Sequence, residues 1–316
     1  MRRSIGVGSF LVAAMTIAQT PDDAFRAKAK ALAERSGYMG TYELQCRKEF
    51  GTPAGLFGPG APEPLKLFDN LYYVGLNSVG AYLVKTSAGL ILIDALNSTE
   101  DAKQTIAGGM QKLGLDPRDI KYILISHGHG DHYGGAKWLA ETYGAHVVAS
   151  AVDWETMKQP MPARPPGGAA TPDRQAPKFS APPERDQVAG DGEVLTLGDT
   201  SITMVLTPGH TPGTLSFIVP VYDHGRKHML AMWGGTNIPR TDEAHRQYMA
   251  SFDHFETFTR RMGVDVELSN HPFVDGSLAR MEQLRRNPDS TNPFVIGAKR
   301  YGEYVGILKA CAQASK

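Results

Sequence analysis

The sequence Ser-His-Gly-His-Gly-Asp-His occupies Ser126–His132, and three of the ten histidines of the 316-residue chain lie within it. The residues just before it, Ile120–Ile125, form a short apolar, β-branched run that predicts a buried strand. The histidines therefore lie where a strand ends and a loop begins, on a scaffold that can hold side chains rigidly. Gly128 and Gly130 allow a tight backbone turn, so that neighbouring side chains can converge on one point.

Imidazole and carboxylate side chains in this pattern indicate zinc or a similar borderline metal. His127 and His129, two positions apart, can reach one ion together, while Asp131 and His132 can reach a second ion nearby. A catalytic zinc takes about three protein ligands and keeps one position open for water, so two ions need about two further ligands. A solvated histidine-rich turn without metal would explain neither this spacing nor the histidines found further along the chain.

The His-x-His-x-Asp-His pattern resembles the signature of the metallo-β-lactamase superfamily of metallo-hydrolases. The resemblance runs from about Leu71 to the C-terminus, and it implies an α/β fold of the four-layer αββα sandwich type. It also implies two Zn²⁺ ions per chain. The expected ligands are His127, His129 and His210 for the first ion, and Asp131, His132 and His271 for the second.

The two distant histidines of this set also follow predicted strands. Ile202–Leu206 leads into Thr-Pro-Gly-His-Thr-Pro-Gly, and in the superfamily the Gly-His-Thr/Ser-Pro-Gly pattern carries the ligand that corresponds to His210. Val264–Leu268 leads into Ser-Asn-His-Pro, and a His-Pro pair at a strand end, here beginning at His271, resembles subclass B3 of the metallo-β-lactamases.

Asp94 directly follows a third predicted strand, Leu90–Ile93. In the superfamily an aspartate at this place supports the metal loop without binding the metal itself. Such support is expected because metal-ligating histidines need a carboxylate or carbonyl partner that fixes their tautomer. A turn-forming aspartate without this role is the alternative.

Gly235 marks the main departure from the superfamily pattern. Many members end the strand that corresponds to His228–Trp233 with Gly-Asp, and that aspartate bridges the two metals; here Gly235 stands in its place. The cysteine ligand of subclasses B1 and B2 is missing as well. The lack of both residues resembles subclass B3. The missing bridging aspartate points away from glyoxalase II and lactonase sites. The neighbouring Thr236 and Asn237 are candidate hydrogen-bond partners for a substrate carboxylate, or ordinary turn residues.

The resemblance implies a hydrolase that acts on a small-molecule substrate. The first hypothesis is a B3-like metallo-β-lactamase that opens the amide of β-lactam antibiotics through a zinc-bound hydroxide, with Asp131 orienting the nucleophile. The alternative is a related dizinc hydrolase of another cyclic ester, thioester or amide, such as a lactone, because such enzymes share the ligand set. A zinc-binding or partner-binding protein that has lost turnover is a third possibility.

The charge balance and the N-terminal segment lead to expectations about the partners and the compartment of the protein. Lys+Arg and Asp+Glu both number 33, so no basic field favours nucleic acid as a partner. Arg2 and Arg3 precede the apolar run Ile5–Ala18, which predicts a secretory signal peptide over residues 1–20, with an uncleaved anchor as the alternative. Residues 21–316 then form a single domain. We expect a periplasmic or secreted monomer without a membrane partner after cleavage.

Two further features leave alternatives open. Cys46 and Cys311 are expected to be unpaired, partly buried thiols, although export would permit a disulfide. Gln159–Pro183 holds eight prolines and predicts a long irregular segment that borders the active site or is a mobile surface loop. If the segment borders the site, its apolar side chains and those just before it could contact a substrate. The loop Gly51–Pro64 is expected to be a packed loop, with a substrate-side flap as the alternative. The apolar side chains concerned are Leu56, Phe57, Trp154, Met157 and Met161.

Overall fold

A computed structural model of the chain describes residues 20–47, 60–159 and 178–315. Within these residues the strands form one sheet of seven strands and one of five. The strands are β1 (Leu65–Phe68), β2 (Leu71–Tyr73), β3 (Tyr82–Thr86), β4 (Gly89–Ile93), β5 (Ile120–Leu124), β6 (His146–Ser150), β7 (Gln187–Ala189), β8 (Glu193–Leu197), β9 (Thr200–Leu206), β10 (Leu215–Asp223), β11 (Arg226–Trp233) and β12 (Val266–Ser269).

Helices flank both sheets. A π-helical segment, Ala102–Ala107, joins α3 to α4, and a short 3₁₀ helix, Pro117–Asp119, precedes β5. The α-helices are α1 (Pro21–Ser36), α2 (Met39–Gln45), α3 (Thr99–Asp101), α4 (Gly108–Lys112), α5 (Gly130–Tyr133), α6 (Ala136–Tyr143), α7 (Ala151–Thr156), α8 (Asp242–Met262), α9 (Ser277–Arg286) and α10 (Ala298–Gln313).

The order of the strands brings several strand ends to one edge of the molecule. The seven-stranded sheet runs from β1 to β7, antiparallel as far as β4 and parallel from β4 to β7. The second sheet has the order β12-β11-β10-β9-β8, in which β11 and β12 are parallel and the other neighbours are antiparallel. The carboxyl ends of β4, β5 and β6 therefore meet at one edge, and those of β9, β11 and β12 meet at an edge of the second sheet.

The apolar residues divide into three clusters, which define the four layers. One cluster lies between the sheets and includes Ile91 and Phe217. A second joins the seven-stranded sheet to its helices, with Leu92 packed in the same cluster as Ile106. A third joins the five-stranded sheet to α1, α8 and α10. The predicted four-layer αββα sandwich is confirmed.

The strand β4 shows how the sequence specifies this layering. Ile91 and Ile93 belong to the cluster between the sheets, and Leu90 and Leu92 belong to the cluster under the helices. Successive side chains of a strand point to opposite faces, so a strand covered on both faces is apolar at every position. The unbroken apolar run before Asp94 is therefore the pattern of a central strand.

Helix boundaries follow the capping residues in the sequence. Thr20 accepts a hydrogen bond from the Asp23 amide at the start of α1, and the helix ends at Gly37 with φ 77°. Thr241 caps α8 in the same way, and Gly263 ends it with φ 67°. A positive φ at the residue after a helix favours glycine, since other residues are strained there.

The last helix begins after an extended stretch of chain. Val295 forms a β-bridge with Val266, and the Ile296 and Gly297 amides both donate to the Asp265 carbonyl. These bonds hold the chain extended beside β12, so α10 begins only at Ala298.

The cysteines form a disulfide, so the expectation of two free thiols was wrong. Cys46 lies at the C-terminal end of α2 and pairs with Cys311 of α10, 265 positions away. Packing of α1 and α2 against α10 brings the two cysteines together. Arg26 reinforces this junction by donating to the carbonyls of Cys46 and Ala314.

Several predictions fall outside the described residues. These are the signal peptide up to residue 19, the side chains of Leu56, Phe57 and Met161, and most of the proline-rich segment. Among the helices that the structure describes, none has both the length and the apolar character needed to cross a bilayer.

We predict that the double variant Cys46→Ala/Cys311→Ala is less stable than the wild type by about 2–5 kcal/mol, because the cross-link restricts the unfolded chain. Urea unfolding measures the difference. A reductant should lower the wild-type midpoint toward that of the variant and leave the variant unchanged. Equal midpoints for both proteins without reductant would contradict the prediction.

Candidate metal centre

Asp94 organises the loop that follows β5. Its carboxylate is fully buried and accepts hydrogen bonds from the Ser126 amide at 2.8 Å, the Ser126 hydroxyl at 2.8 Å and His132 Nδ1 at 2.7 Å. Asp94 has φ 60°, a left-handed conformation that aspartate tolerates better than most residues. The carboxylate thus fixes both the backbone at the start of the loop and the ring of His132.

Three other histidines donate Nδ1–H to backbone carbonyl groups. His127 bonds to the Gly234 carbonyl at 2.8 Å, His210 to Asn237 at 2.9 Å and His271 to Ser78 at 2.7 Å. A carbonyl can only accept, so Nδ1 carries the proton and Nε2 keeps its lone pair. These are the partners that orient metal-ligating histidines.

The first three predicted ligands converge. His129 Nδ1 lies 3.1 Å from His210 Nε2, and ligand atoms of His127, His129 and His210 all lie within 4.8 Å of one another. His127 and His129 extend from the loop after β5 in one sheet, whereas His210 follows β9 in the other. The site therefore forms where the ends of the two sheets meet, and the Leu215 amide donates to the Ser126 carbonyl at this junction.

A second group of side chains adjoins the first. Asp131 Oδ2 lies 3.5 Å from His132 Nε2 and 3.9 Å from His271 Nε2. Ligand atoms of His127, Asp131 and His132 also lie within 4.8 Å of one another. The structure thus brings all six predicted ligands together in two adjoining groups.

Four of the predicted ligand histidines are held in the neutral form that favours metal binding. Burial holds the pKa of His127 well below its ordinary value, and the neighbouring imidazoles lower it further. Burial also lowers the pKa of His129 and His271, and that of His210 to about 3. These rings are neutral near pH 7, which is the form that binds metal.

The second group carries the negative charge. Burial alone would raise the pKa of Asp131, but His132 and the neighbouring histidines lower it. Burial alone would lower the pKa of His132, but Asp131 and Asp94 raise it. Within the described part of the chain, His127 Nε2 and His132 Nε2 are buried without a hydrogen-bond partner. A divalent borderline cation would satisfy both nitrogens, so the residues present fit a metal centre of imidazole and carboxylate ligands.

Gly235 packs directly against a predicted ligand. A Cβ atom built on Gly235 would lie 2.3 Å from His210 Cβ, which is closer than carbon atoms can approach. A side chain at this position would therefore displace the His210 ring. This contact gives a steric reason for a glycine at the position where the resemblance implies a bridging aspartate in many superfamily members.

The predicted substrate contacts have different surroundings. Thr236 is buried, and its carbonyl accepts from the Tyr248 hydroxyl at 3.3 Å. Asn237 is exposed, and its carbonyl orients His210. Their roles toward a substrate stay predictions.

The described end of the proline-rich segment reaches the metal loop. A Cβ on Gly130 would lie 2.4 Å from Phe179 Cγ, so the Phe179 ring lies against the backbone between His129 and Asp131. The Ser180 hydroxyl accepts from the Thr99 amide at 2.9 Å and attaches the segment to the start of α3.

The sequence prediction was wrong about Trp154 and Met157, which were expected to contact a substrate. Both are buried in the cluster under the seven-stranded sheet, and Trp154 Nε1 donates to the Gln187 carbonyl at 2.8 Å. They belong to the short helix α7 and its end rather than to an irregular loop, and their spacing of three places both on one helix face.

Two polar residues near the ligands were missed by the sequence analysis. Asn270 Nδ2 donates to the Gly234 carbonyl at 2.7 Å and so shares the acceptor of His127. Asp153 contacts the loops on both sides of the first ligand group. No sequence motif distinguishes either residue from an ordinary polar residue.

Comparisons with known proteins agree with this geometry. The structure resembles BJP-1, a subclass B3 metallo-β-lactamase of Bradyrhizobium japonicum, with 30% identity, a TM-score of 0.62 and coverage of 78% of this chain and 90% of that one. The chain belongs to the metallo-β-lactamase superfamily. The model of that superfamily matches residues 74–223.

Curated relatives of this superfamily member match over shorter lengths. Hydroxyacylglutathione hydrolase GloC of Haemophilus influenzae is 27% identical over 56% of this chain and 76% of its own length. The N-acyl homoserine lactonase AttM of Azorhizobium caulinodans is 27% identical over 52% of this chain and 62% of its own. YobT of Bacillus subtilis is 31% identical over 46% of this chain, which spans 59% of YobT.

We predict that Gly235→Ala weakens metal binding, because the added methyl group would lie 2.3 Å from His210 Cβ and force the His210 ring to move. Zinc content after gel filtration and affinity from chelator competition measure the effect. The expected loss of affinity is about 10- to 100-fold, the range found when a ligand loses its orientation.

Gly302→Ala is the matched control for Gly235→Ala. Gly302 lies in α10, and a Cβ built there meets nothing within 4 Å. The control should bind metal as the wild type does, since an alanine in an exposed helix is favourable. Wild-type affinity in Gly235→Ala would refute the steric argument.

Proposed function

We propose that this chain is a dizinc hydrolase of the B3-like type that opens the amide bond of β-lactam antibiotics. In this proposal His127, His129 and His210 hold one Zn²⁺, and Asp131, His132 and His271 hold the other. The substrate is a small molecule, and the protein acts as an exported monomer after its signal peptide is removed. N-terminal sequencing of the periplasmic protein and analytical ultracentrifugation test these last two points.

The chemistry divides between the metal and the chain. Bound Zn²⁺ polarises a carbonyl oxygen and lowers the pKa of water, so that a nucleophile is available near neutral pH. Asp131 is the carboxylate among the six ligands, and its side chain is partly exposed beside His132 and His271. Its lowered pKa keeps it ionised, so it can accept a hydrogen bond from the nucleophile and orient it.

The observation that carries the proposal is the packing of His210 on Gly235. It excludes any side chain, and therefore a bridging carboxylate, at the position where many superfamily members place one. The likeness to BJP-1 supports the same conclusion. A site without the bridge resembles subclass B3 more closely than the lactonase and glyoxalase II sites.

The walls of the site also suit a β-lactam, which combines apolar and polar groups. The Phe179 ring, about one-third exposed, lies over Gly130 beside Asp131. Asn237 is exposed next to His210 and offers an amide to a substrate carboxylate, with Thr236 behind it. We propose that these residues receive the two ends of the substrate.

A second candidate is hydrolysis of another cyclic ester, thioester or amide. The similarity to AttM, a lactonase, and to GloC, a hydroxyacylglutathione hydrolase, favours it. The two candidates use the same ligands, and only the choice of substrate separates them.

A substrate panel decides between these candidates. We expect the zinc-loaded protein to hydrolyse nitrocefin and other β-lactams, to lose this activity with a chelator and to regain it with Zn²⁺. Turnover of a homoserine lactone or an acylglutathione thioester far faster than any β-lactam would favour the second candidate. Full zinc loading without turnover of any panel member would refute both.

We predict that His132→Ala retains about one Zn²⁺ per chain and loses at least about 100-fold in turnover. The proposed mechanism uses two metal ions, and the variant lacks the second one. Zinc analysis and initial rates on the same sample measure both quantities. His146→Ala is the control, because His146 is exposed and pairs with Asp186 outside the site. Unchanged turnover in His132→Ala would contradict a dinuclear centre.

A further inference from the structure

Asp153 is a buried carboxylate outside the six predicted ligands. It lies in α7, directly after β6, and its side chain accepts three hydrogen bonds at the end of the strands where the ligands converge. Oδ2 accepts from the Gly128 amide at 2.9 Å and from the Thr211 hydroxyl at 2.7 Å, and Oδ1 accepts from the Gly213 amide at 3.2 Å.

These bonds join two loops from different sheets. Gly128 stands between His127 and His129, and Thr211 directly follows His210. One carboxylate therefore binds the backbone on both sides of the first ligand group. Asp94, by contrast, binds Ser126 and His132 within a single loop.

The contact between α7 and the two loops is close. A Cβ on Gly128 would lie 3.0 Å from the Thr156 Cβ, and a Cβ on Gly213 would lie 2.8 Å from the Asp153 Cγ. The absence of side chains at these two glycines lets both loops approach α7. The Ser150 hydroxyl accepts from the Asp153 amide at 3.1 Å and fixes the start of the helix.

Burial of the Asp153 carboxylate is unfavourable, and the hydrogen bonds that it accepts compensate for this burial. Burial raises the pKa of Asp153, and its bonds from Thr211 and Gly128 oppose that rise. A buried carboxylate that lacks such partners is strongly unfavourable.

We propose that Asp153 is a positioning residue, which holds the His127/His129 loop and the His210 loop at the separation that one metal ion requires. The inference rests on the proposed metal centre and deepens it. Asp153 touches neither the metal nor the substrate. It acts through the backbone of the residues next to the ligands, so its removal should change metal affinity and ligand geometry together.

The test is metal binding by Asp153→Ala, measured without substrate. We expect Zn²⁺ affinity from chelator competition to fall by about 10- to 100-fold, as for other residues that orient ligands. The absorption spectrum of the Co²⁺-loaded variant should differ from that of the wild type, since the ligand geometry has changed.

Asp265→Ala is the matched control for lost stability. Asp265 accepts from the Met229 amide at 3.0 Å and from His228 at 2.6 Å, at the start of β12 and therefore at the opposite end of the sheet from the ligands. It should lower the unfolding midpoint and leave the Zn²⁺ affinity and Co²⁺ spectrum unchanged. Equal affinity losses in both variants would overturn the positioning role.

Thr211→Val keeps the inference testable if Asp153→Ala does not fold. Valine keeps the shape of threonine and removes the hydroxyl that bonds to Asp153. We expect Thr211→Val to lose affinity and Thr211→Ser to recover most of it, because serine restores the hydroxyl. Wild-type affinity in Asp153→Ala or in Thr211→Val would refute the inference.

The outcomes also separate this inference from the proposed function. Metal binding that is normal in the wild type and weakened in Asp153→Ala supports the inference even if no β-lactam is hydrolysed. Hydrolysis of β-lactams by an Asp153→Ala variant that binds Zn²⁺ with wild-type affinity overturns the inference and leaves the proposed function intact. A wild type that binds no Zn²⁺ overturns both.

Discussion

The hydrogen bonds from four of the five candidate ligand histidines to fixed acceptors are the interactions on which the site depends. Gly234, Asn237 and Ser78 offer carbonyl groups, and Asp94 offers a carboxylate. Each acceptor receives a hydrogen bond from Nδ1–H of one ring and leaves Nε2 of that ring free to face the candidate metal centre. Several neutral rings can then be buried side by side, whereas charged imidazolium groups at these distances would repel one another.

The fold supplies these acceptors from strand ends of both sheets. Asp94 and the first histidine loop come from parallel strands of one sheet, and Gly234 and His271 come from parallel strands of the other. Parallel neighbours finish at the same edge, so a few residues beyond each strand suffice to enclose a site. Asp153 and the bond between Leu215 and Ser126 then connect the two edges.

The central strands and the ligand loop could be predicted because their signals are local, whereas the four-layer arrangement was implied by the resemblance. The apolar run before Asp94 and the spacing of His127, His129 and His132 are visible in a short window of sequence. His210 and His271 needed the resemblance, since a single histidine after a strand is uninformative alone. The disulfide and the hydrogen bonds of Asp153 join residues that are distant in sequence. A local sequence pattern does not predict such contacts. The prediction of substrate contacts from Trp154 and Met157 was wrong because the nearby prolines indicated an irregular loop. The two residues have the helical spacing that places both in the core.

The packing of Gly235 against His210 restricts the mutational routes open to this chain. An aspartate that could share two ions would need the volume that the His210 ring and its Cβ occupy. A side chain added there would displace His210, so it would not simply add a seventh candidate ligand. Descendants with a carboxylate at this position would first have to move the loop after β9, so excluded volume limits which side chains this site can acquire.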